Sequence, residues 1–197
     1  MPNWIEVFAR LKQGIEAYGI AVRSLKLGFE TTGTFDGLSL SVNSDYEPEQ
    51  WCHNAAHSFG HIVQWSADTA RQRALYDRLY AAKAGKQLDP AALERALDEF
   101  RAYEEEASGY GHALLLATDN AAAIPAFTNF ARADIECIVG FHRNGIAPIW
   151  RDFFADWNTQ VAAGRITLRP FQPIAIPAFT PLLIAEQEVI QEVDGIA

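Results

Sequence analysis

The sequence predicts an α+β protein, mainly helical, in which a small antiparallel sheet of two or three strands packs on a helical bundle and an extended proline-rich arm closes the chain. Three observations lead there. Apolar residues recur at spacings of three and four over most of the chain, the period of a helix with one buried face. Strand-like alternation is confined to residues 20 to 42, broken by the turn-forming run TTGTFDG. Four prolines, Pro170, Pro173, Pro177 and Pro181, follow Gly164 and argue for an extended arm over a core helix.

The elements follow in order. Trp4, Ile5, Phe8, Leu11, Ile15 and Tyr18 share one face of a helix over 3–18, with Asn3 as its cap and Gly19 as its end. IAVRSLKLGF and the alternating Leu38, Leu40 and Val42 are the strands, with TTGTFDG as the turn between them. EPEQWCHNAAHSFGHIVQW has acidic residues and Pro48 in its first turn, as a helix start requires. ADTARQRALYDRLYAA predicts another helix over 68–83. After the loop AGKQLD, Asp89 caps a long helix that opens at Pro90 and runs to about Ala117. A further helix begins near Pro125 and ends at Gly145. The next, over 148–163, carries an aromatic stripe, Trp150, Phe153, Phe154 and Trp157, read as core or interface and not as a cofactor box. LIAEQEVIQEV predicts a short closing helix. IPAFT occurs at 124–128 and again at 176–180, in unlike surroundings, so it marks no structural repeat. Residues 1–165 make one domain and 166–197 the arm.

The 197 residues suffice for a closed core, and 49% apolar with 21% charged is an ordinary globular balance. The formal charge of −9 shows no basic face for a nucleic-acid backbone or an anionic membrane. Two cysteines, Cys52 and Cys137, make no disulfide framework, which points to a reducing, cytoplasmic setting. The N-terminus carries charges early and lacks the apolar core of a signal peptide. No window approaches the roughly 20 apolar residues of a membrane span.

The chemistry concentrates in HNAAHSFGH, residues 53 to 61. Positions four apart on a helix stand almost above one another, so His57 and His61 point the same way. Two imidazoles one turn apart can grip one zinc ion, each through one nitrogen at about 2.0–2.1 Å. A third ligand must come from another element. RAYEEEASGYGHALLLA offers Glu104, Glu105 and Glu106, which fan out by about 100° each. The apolar face is expected to run through Tyr103, Ala107, Tyr110 and Leu114, with Glu106 inside it. A carboxylate aimed at an apolar seam must be paired, protonated or on a metal, and this favours Glu106.

GTFDGLSLSVN, then AHSFGH, then EEEASGYGHALL, in that order, resemble the ImmA/IrrE family of zinc metallopeptidases over residues 33 to 116. The resemblance implies a zincin-like fold, zinc as cofactor, and His57, His61 and Glu106 as ligands. It also implies a protein or peptide as the partner. The separation between His61 and Glu106 is longer than the family's, and residues beyond 120 fall outside the likeness. The family has a glutamate directly after the first histidine, where it serves as general base. Here Ser58 occupies that position, and the alternative pair His53 and His57 puts Asn54 there. Loss of a general base lowers a rate by about 10²–10⁴. A replacement carboxylate would have to come from Glu104, Glu105 or Asp134.

His53, as a fourth ligand, would close the site and make zinc structural; a neighbouring, non-ligating histidine is the preferred reading. His112 and His142 are read as structural, as is Tyr110. The expectation is a metallopeptidase-like zinc protein with lost or strongly reduced peptidase activity, a pseudo-enzyme. The alternatives are an active metal-dependent hydrolase with a relocated base, and a metal-free interaction module on the same fold, with the arm and aromatic stripe as a dimer or partner surface.

Overall fold

The computed structural model describes residues 2–28, 31–36, 38–83 and 89–181. The described residues form six helices, one 3-10 turn and a three-stranded sheet. The expected closing helix at LIAEQEVIQEV lies outside them, as does most of the AGKQLD loop.

Helix α1 (Trp4–Glu16) buries Val7, Leu11 and Ile15, a strict four-residue spacing that lays one stripe on the second helix. Asn3 takes the cap position, but its side-chain amide donates to Glu6 at 2.9 Å and not to the helix end. Strands β1 (Ala21–Leu25), β2 (Gly33–Phe35) and β3 (Ser39–Asn43) stack in the order β1-β3-β2. β2 pairs antiparallel to β3, while β1 pairs parallel to it with Ala21 opposite Ser39 and Leu25 opposite Asn43. The sheet is therefore mixed and not antiparallel as expected. The physical reason is the third strand. Gly33–Phe35 lies inside the stretch read as a turn, and it reverses the chain once before the tight turn at Asp36 reverses it again. Asp36 holds that turn by accepting from the Leu38 and Ser39 amides at 2.9 and 2.6 Å. β3 ends up in the centre, with all five residues buried. Its Leu38–Leu40–Val42 alternation breaks for that reason, and Leu38 lies exposed just outside the strand.

Helices α2 (Pro48–Ala67), α3 (Thr69–Lys83) and α4 (Pro90–Ala117) follow. Asp89 caps α4 by accepting from the Ala91 amide. α5 (Ile124–Asn144) begins after the 3-10 turn Ala121–Ala123 and ends at Gly145, whose φ of 69° closes the helix in the left-handed region. α6 (Trp150–Ala162) has no fully buried residue. Its aromatics lie half-covered, with Trp150 stacked on Phe154 at 5.1 Å and edge-on to Phe130 at 5.6 Å.

The centre of the molecule is the crossing of α2 and α4. A Cβ on Gly60 would lie 2.0 Å from the Ala107 carbonyl oxygen. One on Gly111 would lie 2.6 Å from the Ala56 carbonyl oxygen. The two helices thus meet backbone to backbone at two points, and only the missing side chains permit it. Fourteen residues of α2, from Cys52 to Trp65, are all buried, because α1, α4, α5 and the sheet cover it on every side.

Residues 165–181 run extended, as the prolines predict. The arm is anchored and not free: Phe171 is buried, its carbonyl accepts from His112 Nδ1 at 2.5 Å, and the Ile174 amide donates to the Gly109 carbonyl at 3.2 Å. Phe179 stacks on Tyr18 at 5.4 Å. His112 therefore has the structural role expected of it.

Gly60→Ala forces a methyl group into a carbonyl that belongs to a packed helix. We expect destabilisation of about 3 kcal/mol or more in urea unfolding, the upper range for overpacking; a loss below about 0.5 kcal/mol, the size of a harmless surface change, would contradict the crossing.

Candidate metal centre

The α2–α4 crossing sets two histidines of one helix against a carboxylate of the other. His57 and His61, one turn apart on α2, meet edge to face with ring centroids 4.6 Å apart and Nε2 atoms 3.0 Å apart. The Glu104 Oε2 atom lies 3.1 Å from His57 Nε2 and 3.2 Å from His61 Nε2. All three side chains are buried. Ligands held about 2.0–2.1 Å from a tetrahedral zinc ion stand about 3.3 Å from one another, close to all three separations.

The carboxylate is Glu104 and not the expected Glu106. The buried face of α4 runs through Phe100, Tyr103, Glu104, Ala107, Ser108 and Gly111, with Tyr110 only half-buried. The expected stripe is buried at Tyr103, Ala107 and Leu114 and departs from the buried face at Tyr110 and at Glu106. Glu106 stands about 200° from Glu104 on the same helix, and it turns to α3 instead. It accepts from Arg71 Nη1 of α3 at 2.6 Å and also from Gln64 Nε2 of α2 at 2.9 Å. Glu105 points elsewhere again and pairs with Arg132.

Gln64 is the residue that the sequence reading missed. Its Nε2 donates to the Tyr103 carbonyl at 2.8 Å as well as to Glu106. Its Oε1 must then be the atom facing His61 Nδ1, 3.0 Å away, so that nitrogen carries the proton. His61 consequently turns the lone pair of Nε2 to the shared point. Ser108 Oγ, 3.3 Å from His57 Nδ1, can accept from His57 in the same way. Two imidazole lone pairs and one carboxylate oxygen then face a single point, and such a set needs a cation or a proton between its members. Gln64 lies three residues after His61, on the same side of the helix, and that spacing was the available signal.

The electrostatics agree. Burial would raise the Glu104 carboxyl, but the charge of His61 and the hydrogen bonds of His57 and His61 outweigh it and hold it at about 2. Burial would lower His57, yet the Glu104 hydrogen bond and charge, with the Asp134 charge, carry it above the ordinary imidazole value. Protons on the histidines thus satisfy the cluster when no cation does.

A small cleft of about 40 Å³ reaches the centre at His57. Ser58, Asn54, Phe130, Asp134 and Trp150 are among its walls. His53 stays apart from the cluster. It is buried between Trp4 at 5.4 Å and Phe130 at 4.9 Å, its Nε2 has no hydrogen-bond partner, and burial pushes it down to about 3. It is a neutral aromatic-core residue. Cys52 and Cys137 are buried free thiols, and burial pushes Cys52 up to about 12.

No protein-family model, curated protein or solved structure matches the chain.

Two outcomes follow from this geometry. Gln64→Leu removes the acceptor that orients His61, and we expect zinc affinity to fall by about 10–100-fold in a competitive chelator titration; unchanged affinity would deny Gln64 this role. Zinc binding must also displace the His57 proton. Because that proton is held above the usual 6.5, affinity should rise by about tenfold per pH unit and level off only above pH 6.5. Glu104, held at about 2, and His53, at about 3, are already deprotonated there and add no slope. A plateau reached below pH 6.5 would contradict the proton-filled cluster.

Proposed function

We propose that this chain is a zinc-binding, metallopeptidase-like protein of the ImmA/IrrE kind whose peptidase activity is lost or strongly reduced. The observation that carries the reading is the meeting of His57, His61 and Glu104 at 3.0–3.2 Å, with the His61 lone pair aimed inward by Gln64. Two imidazole nitrogens and one carboxylate oxygen are a donor set suited to zinc. Zinc so held polarises a carbonyl and lowers the pKa of a water.

The chain's own residues divide the remaining work. His57 brings the centre to the cleft, and a protein or peptide is the proposed partner on the resemblance alone. Ser58 stands on the cleft wall directly after the first ligand, where the resemblance requires a glutamate. A serine hydroxyl is far too weak a base to take that proton. The sequence of small sheet, ligand helix and second ligand helix supports a zincin-like arrangement. Two buried free thiols suit a reducing compartment, and we assign the chain to the cytoplasm on that ground. No helix among the described residues is long and apolar enough to cross a membrane.

Elemental analysis of protein purified without chelator or metal-affinity tag tests the reading. We expect one zinc per chain, lost in His57→Ala and in Glu104→Gln but retained in Glu106→Gln. Ser58→Glu should raise hydrolysis of labelled casein by about 10²–10⁴. Absence of stoichiometric metal, or fast zinc-dependent proteolysis by the unaltered chain, would reject it.

A further inference from the structure

The cleft that reaches His57 has a polar wall and an apolar wall. Gln50, Asn54 and His57 all line it, at spacings of four and three along α2, so one face of the ligand helix supplies the polar wall. Phe130 and Ile138 of α5 and Trp150 of α6 supply the apolar one, with Trp150 edge-on to Phe130 at 5.6 Å. No lysine or arginine is among the lining residues.

Most of the polar lining has work elsewhere. Thr32, Tyr46, Ser58 and Asp134 have interactions of their own with neighbours. His57 belongs to the buried cluster and to Ser108. Gln50 and Asn54 remain. Asn54 is only 7% exposed, and its Nδ2 donates to the Thr32 carbonyl at 3.5 Å, its one side-chain hydrogen bond among the described residues. A carbonyl can only accept, so the NH2 end of Asn54 must face Thr32 and Oδ1 is left as an acceptor for whatever the cleft holds. An acceptor in so buried a residue is costly to leave unbonded. The half-buried Gln50 has no side-chain hydrogen bond among the described residues, so its amide is free to turn its NH2 end to a ligand.

Size narrows the occupant. The cleft's volume of about 40 Å³ holds about three waters, or one group of about four heavy atoms. We propose that the cleft is a binding site for one small neutral carboxamide group. Asn54 Oδ1 accepts from its N–H, Gln50 Nε2 donates to its carbonyl, and the wall of Phe130, Ile138 and Trp150 takes the methyl-sized group attached to it. A carboxylate of the same shape sets an acceptor against the Asn54 acceptor and meets no cationic side chain. A ketone of the same shape keeps the Gln50 bond and loses the Asn54 bond. The inference goes beyond the metal reading and stands without it, because neither Gln50 nor Asn54 is a member of the cluster. A free small amide and one peptide group of a chain offer the same chemistry.

Nitrogen-15 NMR of the full chain tests it, with acetamide as the probe and acetone and acetate as controls of the same shape. Zinc-loaded and chelator-treated protein are both titrated. Acetamide should shift the side-chain NH2 signals of Gln50 and Asn54 saturably in both. In chelator-treated protein, where acetate has no metal to bind, acetamide should bind about 3–10-fold more tightly than either control, the worth of one hydrogen bond. Asn54→Ala should weaken acetamide by about 3–10-fold and leave acetone unchanged, while Gln50→Ala should weaken both by a similar factor. Gln50 is half-buried, so its variant reports even where Asn54→Ala fails to fold. N-acetylglycine N-methylamide separates the two sources: saturable shifts with it assign the site to a peptide group, and shifts with acetamide alone assign it to free small amides. The inference is overturned by the absence of a saturable shift at both residues, by acetone or acetate binding as tightly as acetamide, or by a Gln50→Ala variant that binds acetamide like the unaltered chain. A chain that takes up no zinc refutes the metal reading at the elemental analysis and leaves the acetamide result as it stands.

Discussion

The rest of the structure depends on how closely α2 approaches α4. Helices ordinarily pack with axes about 8–10 Å apart, a distance set by the side chains between them. At Gly60 against Ala107, and at Ala56 against Gly111, there is almost nothing between them. This brings the α2 histidines within 3.1 and 3.2 Å of a short-reaching glutamate on α4. A single methyl group at either glycine would push the helices apart by more than those contacts tolerate. The glycines therefore set the centre's dimensions without touching it.

Close approach also creates the problem that the polar residues solve. A buried carboxylate is costly unless its charge is balanced and its oxygens are bonded. Glu104 obtains both from two histidines, and each histidine is in turn held from behind. Gln64 holds His61, Glu106 and the Tyr103 carbonyl hold Gln64, and Arg71 holds Glu106. The arrangement grades from the buried cluster out to the half-exposed Arg71, so charge is matched step by step from the core to solvent. Gln64 is the hinge of this chain because its two ends are chemically different. Only one orientation of its amide satisfies every neighbour, and that orientation decides which nitrogen of His61 is bare.

Much of this was legible. The helix periods placed all six helices among the described residues to within a few positions, because apolar spacing and the terminal prolines and glycines record them. The histidine pair was equally visible, since a spacing of four has one meaning on a helix. The third group was harder. Three consecutive glutamates differ only in rotation, and the expected stripe through Tyr103, Ala107, Tyr110 and Leu114 is buried except at Tyr110, which pulled Glu106 into it in place of Glu104. The buried face also takes in Glu104, Ser108 and Gly111, whose small or polar side chains carry little hydrophobic signal. Gly111 is decisive in the packing and nearly silent in a hydrophobicity pattern. The sheet failed for another reason. Gly33–Phe35 is three residues long and flanked by turn formers, so its strand character comes from pairing with β3 and not from its own composition.

The contrast between Ser58 and the three clustered residues has a physical basis. His57, His61 and Glu104 are core residues as much as site residues, and each is buried and bonded to the others. Removing one leaves an uncompensated polar group inside the protein, at a cost of about 3–5 kcal/mol for a broken buried pair. Ser58 is buried too, on the same cleft wall, but it is neutral and stands outside the cluster, so its exchange for another neutral side chain breaks no buried charge pair. Exchange of His57, His61 or Glu104 therefore costs the fold more than exchange of Ser58. The cluster would persist for stability alone, and persistence of the ligands is therefore poor evidence of turnover.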